Sequence, residues 1–336
     1  MKQPKCIIID GAGTATTQNF IHAVGKSTPL LSLDCSEQNV GKFFSDGFLL
    51  CPKATSDKFV PFLEELFDCY LKDFEKILYI PIIDYGFSAI SKHTFNNDVL
   101  VVISPYETIK ICDDKLLMSR FFKSIECPFN VPKDMEDILI NSKVFPDIII
   151  KPRKNGRGSI DVSTCNTFDV FLRQAEYLKD NFFYQEKIPG KEVTVDVLCT
   201  LGGKYLGSIC RERVEVKSGV SSKARVFHSN YYDTIVKFIC NNLKFSGHIN
   251  IQFMENNKGV YLIEINPRYS GGYNLSDVAG FHSVSVLLKM FSDWCESSYN
   301  ENFDYRHFSG KDSLSYSDGY SYKYSKAKFE TINGKS

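Results

Sequence analysis

The segment Tyr261-Leu-Ile-Glu264-Ile-Asn266-Pro-Arg268, with Gln252 twelve residues before Glu264 in Asn-Ile-Gln-Phe, constrains the fold more than any other stretch. Both halves alternate polar and apolar residues, the period of a half-buried strand, and Glu255-Asn-Asn-Lys-Gly259 between them has hairpin-loop length. Two antiparallel strands are therefore predicted. With Met254 opposite Val260, the even positions share one face and Gln252 lies diagonally across from Glu264, roughly 7–8 Å away at the backbone. Asn266 continues that face. One carboxylate and two amide oxygens suit Mg²⁺, which takes few protein ligands and completes its shell with substrate phosphates. Arg268, just beyond, has the fork geometry to hold a phosphoryl group or carboxylate bidentately. Taken alone, such a run is most often a surface hairpin with a solvated Glu and Asn, so its place in the chain matters.

About one domain length upstream, a long apolar strand opens onto a basic, glycine-rich loop: Asp147-Ile-Ile-Ile-Lys151-Pro-Arg153-Lys154-Asn-Gly156-Arg157-Gly158-Ser159. Glycines let backbone N–H groups approach phosphate oxygens, and four cations within seven residues supply charge. The spacing is not that of a Walker loop, because the lysine precedes the glycines at the strand end. Next comes Phe183-Tyr-Gln185-Glu186-Lys187-Ile188-Pro-Gly190-Lys-Glu192-Val-Thr-Val, read as a strand, a turn at Pro189-Gly190 and a second strand, hence a hairpin.

These segments, in this order, resemble the ATP-grasp superfamily, and within it the carboxylate-amine ligases similar to the carbamoyl phosphate synthase large chain; the resemblance extends over nearly the whole chain. It implies an α/β chain with α+β lobes, an ATP-grasp fold preceded by a Rossmann-like domain. It also implies ATP and Mg²⁺, or Mn²⁺, as cofactors. Lys115, in Asp114-Lys-Leu-Leu, and Lys151 resemble the two lysines that reach the nucleotide phosphates, with Gly156, Gly158 and Ser159 in the loop folding over them. Glu186, Lys187 and Ile188 match the hinge that holds adenine, and Glu192 the acid that bonds the ribose. Gln252, Glu264 and Asn266 match the metal-binding trio; glutamine at the first position resembles the carbamoyl phosphate synthase branch and leaves the site one charge poorer, so weaker metal binding is expected. Arg268, with Lys151, is the catalytic candidate, matching an arginine that steadies the acyl phosphate and its transition state.

The opening Lys5-Cys-Ile-Ile-Ile-Asp-Gly11-Ala-Gly13-Thr14 reads as a buried strand entering a tight glycine turn and a helix. Leu30–Asp34 is the predicted second strand, with Asp34 about where a dinucleotide-binding protein places its ribose-binding acid. Thr16 occupies the third glycine position, so a nicotinamide-dependent oxidoreductase is the weaker reading. Gly11, Gly13 and Thr14 are candidate substrate contacts, against the plainer role of a tight βα turn. Arg211, Arg213 and Lys223 flank Ser218-Gly-Val-Ser-Ser, where related proteins have a mobile loop, and are candidate phosphate or carboxylate ligands or an exposed face. His228, His248 and His282 lack a carboxylate at a telling spacing and receive no role.

A length of 336 residues with 43% apolar content fills two or three cores, and 40 basic against 40 acidic residues leave no net charge to suggest a nucleic-acid partner. With no signal-like start or membrane-length apolar run, a cytoplasmic protein without membrane association is expected. Eleven cysteines without a C-x-x-C pair read as reduced thiols. The expected organisation is a Rossmann-like domain over 1–112, a small lobe over 113–190 containing a helix Lys115–Lys123, a metal-binding lobe over 191–295, and a Ser/Tyr-rich tail over 296–336 with a last strand after Tyr322. No internal repeat is evident, so the two-copy arrangement of carbamoyl phosphate synthase is not expected. The leading function is ligation: ATP activates a small-molecule carboxylate as an acyl phosphate, and an amine captures it. The alternatives are acyl phosphate or carboxyphosphate formation without an amine, and a non-catalytic ATP-binding sensor or assembly subunit. The family often dimerises, so the resemblance also admits a homodimer.

Overall fold

Ile7, Ile8 and Ile9 are all fully buried, as a central parallel strand covered on both faces requires. The computed structural model describes residues 2–141, 146–154, 161–168, 170–171, 173, 181–217, 220–303, 319–323 and 327–331. The first sheet is wholly parallel, ordered β3-β2-β1-β4-β5, and built from β1 (Gln3–Ile9), β2 (Leu30–Asp34), β3 (Gly47–Leu50), β4 (Phe74–Ile80) and β5 (Val99–Val101). Strand order reverses between β1 and β4, so the loops after these two strands, which carry Gly11–Thr14 and Ile82–Asp84, diverge around a crevice at the carboxyl ends.

The second sheet is small and antiparallel, ordered β7-β6-β8 from β6 (Ile148–Pro152), β7 (Ser163–Cys165) and β8 (Phe182–Glu186). The helix Lys115–Lys123 forms at its predicted bounds because Asp114 caps it, accepting from the amides of Leu116 and Leu117.

The third sheet has seven strands, ordered β13-β12-β9-β10-β11-β14-β15. They are β9 (Lys191–Cys199), β10 (Tyr205–Lys217), β11 (Val220–Phe227), β12 (His248–Asn256), β13 (Gly259–Asn266), β14 (Gly319–Lys323) and β15 (Ala327–Thr331). Val193, Val195, Val197, Ile251 and Phe253 bury one face in a core shared with Tyr232, Ile235 and Ile239 of the helix Asn230–Asn242. The opposite face carries the polar row that becomes the site. The tail thus contributes two strands to this sheet, where the sequence suggests one.

The hairpin expected around Gly190 does not form. β8 pairs with β6 and β9 with β12 and β10, so Lys187–Gly190 crosses from one sheet to another. Alternation marks each strand correctly, but pairing partners are set by long-range packing. Gly190 adopts φ +151, and a Cβ there would lie 2.2 Å from the Glu255 carbonyl oxygen. Gly190→Ala should therefore lower stability by about 2–4 kcal/mol, read as a shifted urea midpoint; an unchanged midpoint would show that this crossover is not held against β12.

All eleven cysteines are free thiols. Among the described residues no helix is long and apolar enough to cross a membrane.

Candidate functional site

The metal-type trio owes its geometry to a β-bulge. From the turn, Asn256 pairs with Gly259, Met254 with Tyr261 and Phe253 with Leu262; a register shift follows, after which Gln252 pairs with Glu264, Ile251 with Ile265 and Asn250 with Asn266. The expected register, Met254 opposite Val260, is therefore displaced by one, and Gln252 faces Glu264 directly rather than diagonally. Without the extra residue at Ile263, the turn register would send Glu264 and Asn266 into the core, because a one-residue slip exchanges the two faces of a strand. The bulge restores them to the polar face. Asn266 Nδ2 donates to Asn250 Oδ1 at 3.4 Å, which leaves the side-chain Oδ1 of Asn266 for a cation. A carboxylate and two amide oxygens in register fit Mg²⁺ with most of its shell supplied by phosphate oxygens. The described residues contain no group of three or more His, Cys, Asp or Glu that could hold a metal ion.

These residues face a cleft of about 580 Å³, lined also by Lys115, Lys151, Glu186, Lys187, Ile188 and Glu192. Lys151, at the end of β6, is buried, and its ammonium lies 5.6 Å from the Phe183 ring centroid. Burial lowers its pKa to about 8, against the opposing pull of Glu264 and with a smaller push from the neighbouring charge of Lys115. The two lysines and the carboxylate are thus within electrostatic reach of one another. Lys115 opens its helix, and its amide donates to the Arg153 carbonyl at 3.1 Å. Arg153 in turn bonds Asp114 through Nε and Nη2. Burial opposes the charge on Asp114, but Arg153 and the capped amides hold its carboxyl below the ordinary carboxylate range. Its stabilising effect is present at neutral pH and fades as pH falls below the ordinary aspartate value. Asp114→Ala should cost about 1–3 kcal/mol at pH 7 and weaken nucleotide binding through Lys115. Denaturation and fluorescent-nucleotide titration of this variant would check both, and retained stability and affinity would contradict the coupling.

At the hinge, the Glu186 amide donates to the Lys133 carbonyl and the Lys187 amide to the Asp147 carbonyl, each at 2.8 Å. Glu192 is ion-paired with Arg213, so these two candidates occupy the cleft as one neutral unit. Arg268 Nε donates to Asp84 Oδ2 at 2.9 Å and Nη1 to the Tyr269 carbonyl at 3.0 Å; the first of these ties the segment after β13 to the loop after β4. Asp84 is a cleft residue that sequence reading misses, since nothing local links positions 84 and 268. Asn250 is another; its period-2 spacing from Gln252 was the available signal. Buried Asp10 braces the Asp84 loop, accepting from the amides of Ile82 and Ile83 and from the Tyr79 hydroxyl. Burial raises its carboxyl to about 6 despite these bonds.

Other expectations fall differently. Thr14 lines the cleft and caps the first helix, accepting from the Thr17 amide. Gly11, at φ +66, and Gly13 shape the turn that leads to Thr14; a Cβ on Gly11 would lie 2.8 Å from Ile83. Asp34 accepts from the Gly13 and Ser36 amides, so it caps the glycine turn rather than awaiting a ribose. Arg211, Arg213 and Lys223 lie on the paired strands β10 and β11, and of them Arg211 and Arg213 reach the cleft while Lys223 sits opposite Glu215. Gly156, Gly158 and Ser159 lie outside the described residues. His248 is a core residue, stacked 4.2 Å from Tyr269 and bonded to Ser283.

Residues 179–309 match a family described as ATP-grasp in the biosynthetic pathway with Ter operon. The chain carries an ATP-grasp domain. Over 232 residues it is 28% identical to the carbamoyl phosphate synthase large chain of Thermoanaerobacter sp. (strain X514), covering 62% of this chain and 21% of that one. It therefore spans about a fifth of the curated relative's length. Two solved structures share the ATP-grasp architecture and its parallel-sheet N-terminal domain. N5-carboxyaminoimidazole synthetase from Staphylococcus aureus, complexed with ADP, aligns with TM-score 0.63 and 17% identity over 84% of this chain and 76% of that one. The biotin carboxylase domain of Hydrogenobacter thermophilus 2-oxoglutarate carboxylase, with MgADP and bicarbonate, aligns with TM-score 0.65 and 16% identity over 96% and 74%.

Proposed function

We propose that this protein is a Mg²⁺-ATP-dependent carboxylate-amine ligase. The observation that carries the reading is convergence: Lys115, Lys151, Gln252, Glu264, Asn266 and Arg268, drawn from two sheets and a capped helix, line one cleft that the Asp84 loop of the N-terminal domain completes. Phosphoryl transfer asks mainly for alignment and charge neutralisation, and no side-chain nucleophile is needed. Lys115 and Lys151 hold the polyphosphate. Glu264, Gln252 and Asn266 would hold the cation, which would supply positive charge against the polyphosphate. A substrate carboxylate oxygen attacks the γ-phosphorus, ADP leaves, and an amine then displaces phosphate from the acyl phosphate. Arg268, oriented by Asp84, offers its guanidinium to the charge that develops in both steps. Glu186–Ile188 serve the adenine and Glu192 the ribose; with the Glu186 and Lys187 amides engaged, the Lys187 carbonyl and the Ile188 amide are the groups assigned to the base edge.

The three sheets support an organisation into an N-terminal domain over 1–112, a small lobe over 113–190 and a metal-binding lobe from 191 onward, with the tail strands added to that lobe's sheet. The substrates are taken to be small molecules and the compartment the cytoplasm. The test is ADP release from Mg²⁺-ATP against pools of amino acids, small carboxylates and amines. Stimulation that requires a carboxylate and rises with an amine supports ligation; stimulation by a carboxylate alone favours acyl phosphate formation. ATP binding without any stimulated turnover would overturn the enzymatic reading.

A further inference from the structure

Arg211 is the largest fully buried side chain among the described residues, yet it forms part of the cleft wall. Its Nε donates to Asp196 Oδ2 at 2.7 Å, and its Nη2 donates to Asp196 Oδ1 at 3.0 Å and to Ser270 Oγ at 2.9 Å. Asp196 is itself held by Ser276. Burial opposes its charge, but Arg211 and His248 keep its carboxyl well below the ordinary range, so the fork stays ionised and fixed. The remaining nitrogen, Nη1, lies against Gly272: a Cβ there would stand 2.9 Å from it, closer than from any other atom. Gly272 has φ −113 and ψ 10, a backbone that any residue adopts, so its glycine is not demanded by conformation. What the missing Cβ leaves is room beside Nη1, at a wall where Arg211, Ser270, Gly271 and Gly272 all line the cleft.

Position separates this donor from the phosphate site. Glu264, Gln252, Thr194 and Arg211 are directly opposed across β13, β12, β9 and β10. Three strand spacings put Arg211 about 14 Å from Glu264 at the backbone.

We propose that Arg211 Nη1, uncovered by Gly272, holds a second anionic group of the substrate, a carboxylate other than the one activated, so that the cleft selects acids with two negative groups. This deepens the ligase reading and rests on it for the choice of substrate. The experiment compares butyrate with succinate, glutarate, L-aspartate and L-glutamate, by ADP release from Mg²⁺-ATP and by thermal shift in Mg²⁺-ADP. Wild type should take at least one of the two-carboxylate acids with a KM about tenfold or more below that of butyrate, the effect of one hydrogen bond to a charged group. Gly272→Ala should raise that KM to the butyrate level while the KM for ATP moves less than about twofold. Arg211→Lys, which keeps the charge beside Asp196, should abolish the same preference even if its melting point falls. Equal use of mono- and dicarboxylates by wild type, or a preference that survives Gly272→Ala, would overturn the proposal and leave the ligase reading standing. If no acid elicits ADP release, but a two-carboxylate acid shifts melting of wild type and not of Gly272→Ala, the anion site stands and the ligase reading falls.

Discussion

Replacing Glu264 by alanine should reduce ADP release about 10³-fold while leaving the melting temperature within a few degrees of wild type. Glu264 is the sole carboxylate of the candidate trio, with Gln252 and Asn266 contributing only amides, so its loss removes the site's formal negative charge. A second effect adds to the first. Glu264 raises the pKa of Lys151 against the depressing influence of burial, so its removal should leave that lysine less protonated near neutral pH. The fold should survive, because Glu264 lies half-buried on the polar face while Leu262 and Ile265 anchor the strand in the core. Glu264→Gln, which keeps the shape, separates charge from packing. Measured ADP release from Glu264→Ala equal to wild type, in a folded protein, would sink the site assignment.

The second large effect concerns Lys151. With its pKa lowered to about 8 by burial, the ammonium is mostly present at pH 7 and is lost as pH rises through 8. On the proposed role of Lys151 the polyphosphate needs the ammonium form, so kcat/KM for ATP should be highest below 8 and fall tenfold per pH unit above it. Lys151→Arg stays cationic throughout and should flatten that limb, whereas Lys151→Met should lower kcat/KM about 10²–10³-fold at pH 7. Initial rates between pH 6.5 and 10 decide the matter. A profile that keeps its alkaline fall in Lys151→Arg would assign the titration to another group.

The strands were legible because period-2 alternation is a local property of side-chain chemistry, and it marked Gln252, Glu264 and Asn266 as polar positions of two neighbouring strands; their common face was reached only through an assumed register, Met254 opposite Val260, that the sheet displaces by one. The helix opened by Lys115 was legible for a similar reason, since Asp114 caps it within three residues. Pairing was not. Alternation before and after Gly190 looked like a hairpin, yet β8 and β9 belong to different sheets, because the energy that chooses a partner strand comes from residues far away in sequence. The bulge at Ile263 was hidden in the same way; turn length and core facing conflict by one residue, and only the assembled sheet shows where the extra residue is absorbed. The Asp84–Arg268 ion pair and the Asp196–Arg211 fork join positions without any local signal. The sequence by itself determined which chemical groups were available and which stretches would be strands. The tertiary structure alone decided which charges neutralise one another and which donors still face the cleft, because Coulombic and hydrogen-bond energies depend on distances across strands and domains that no local pattern encodes.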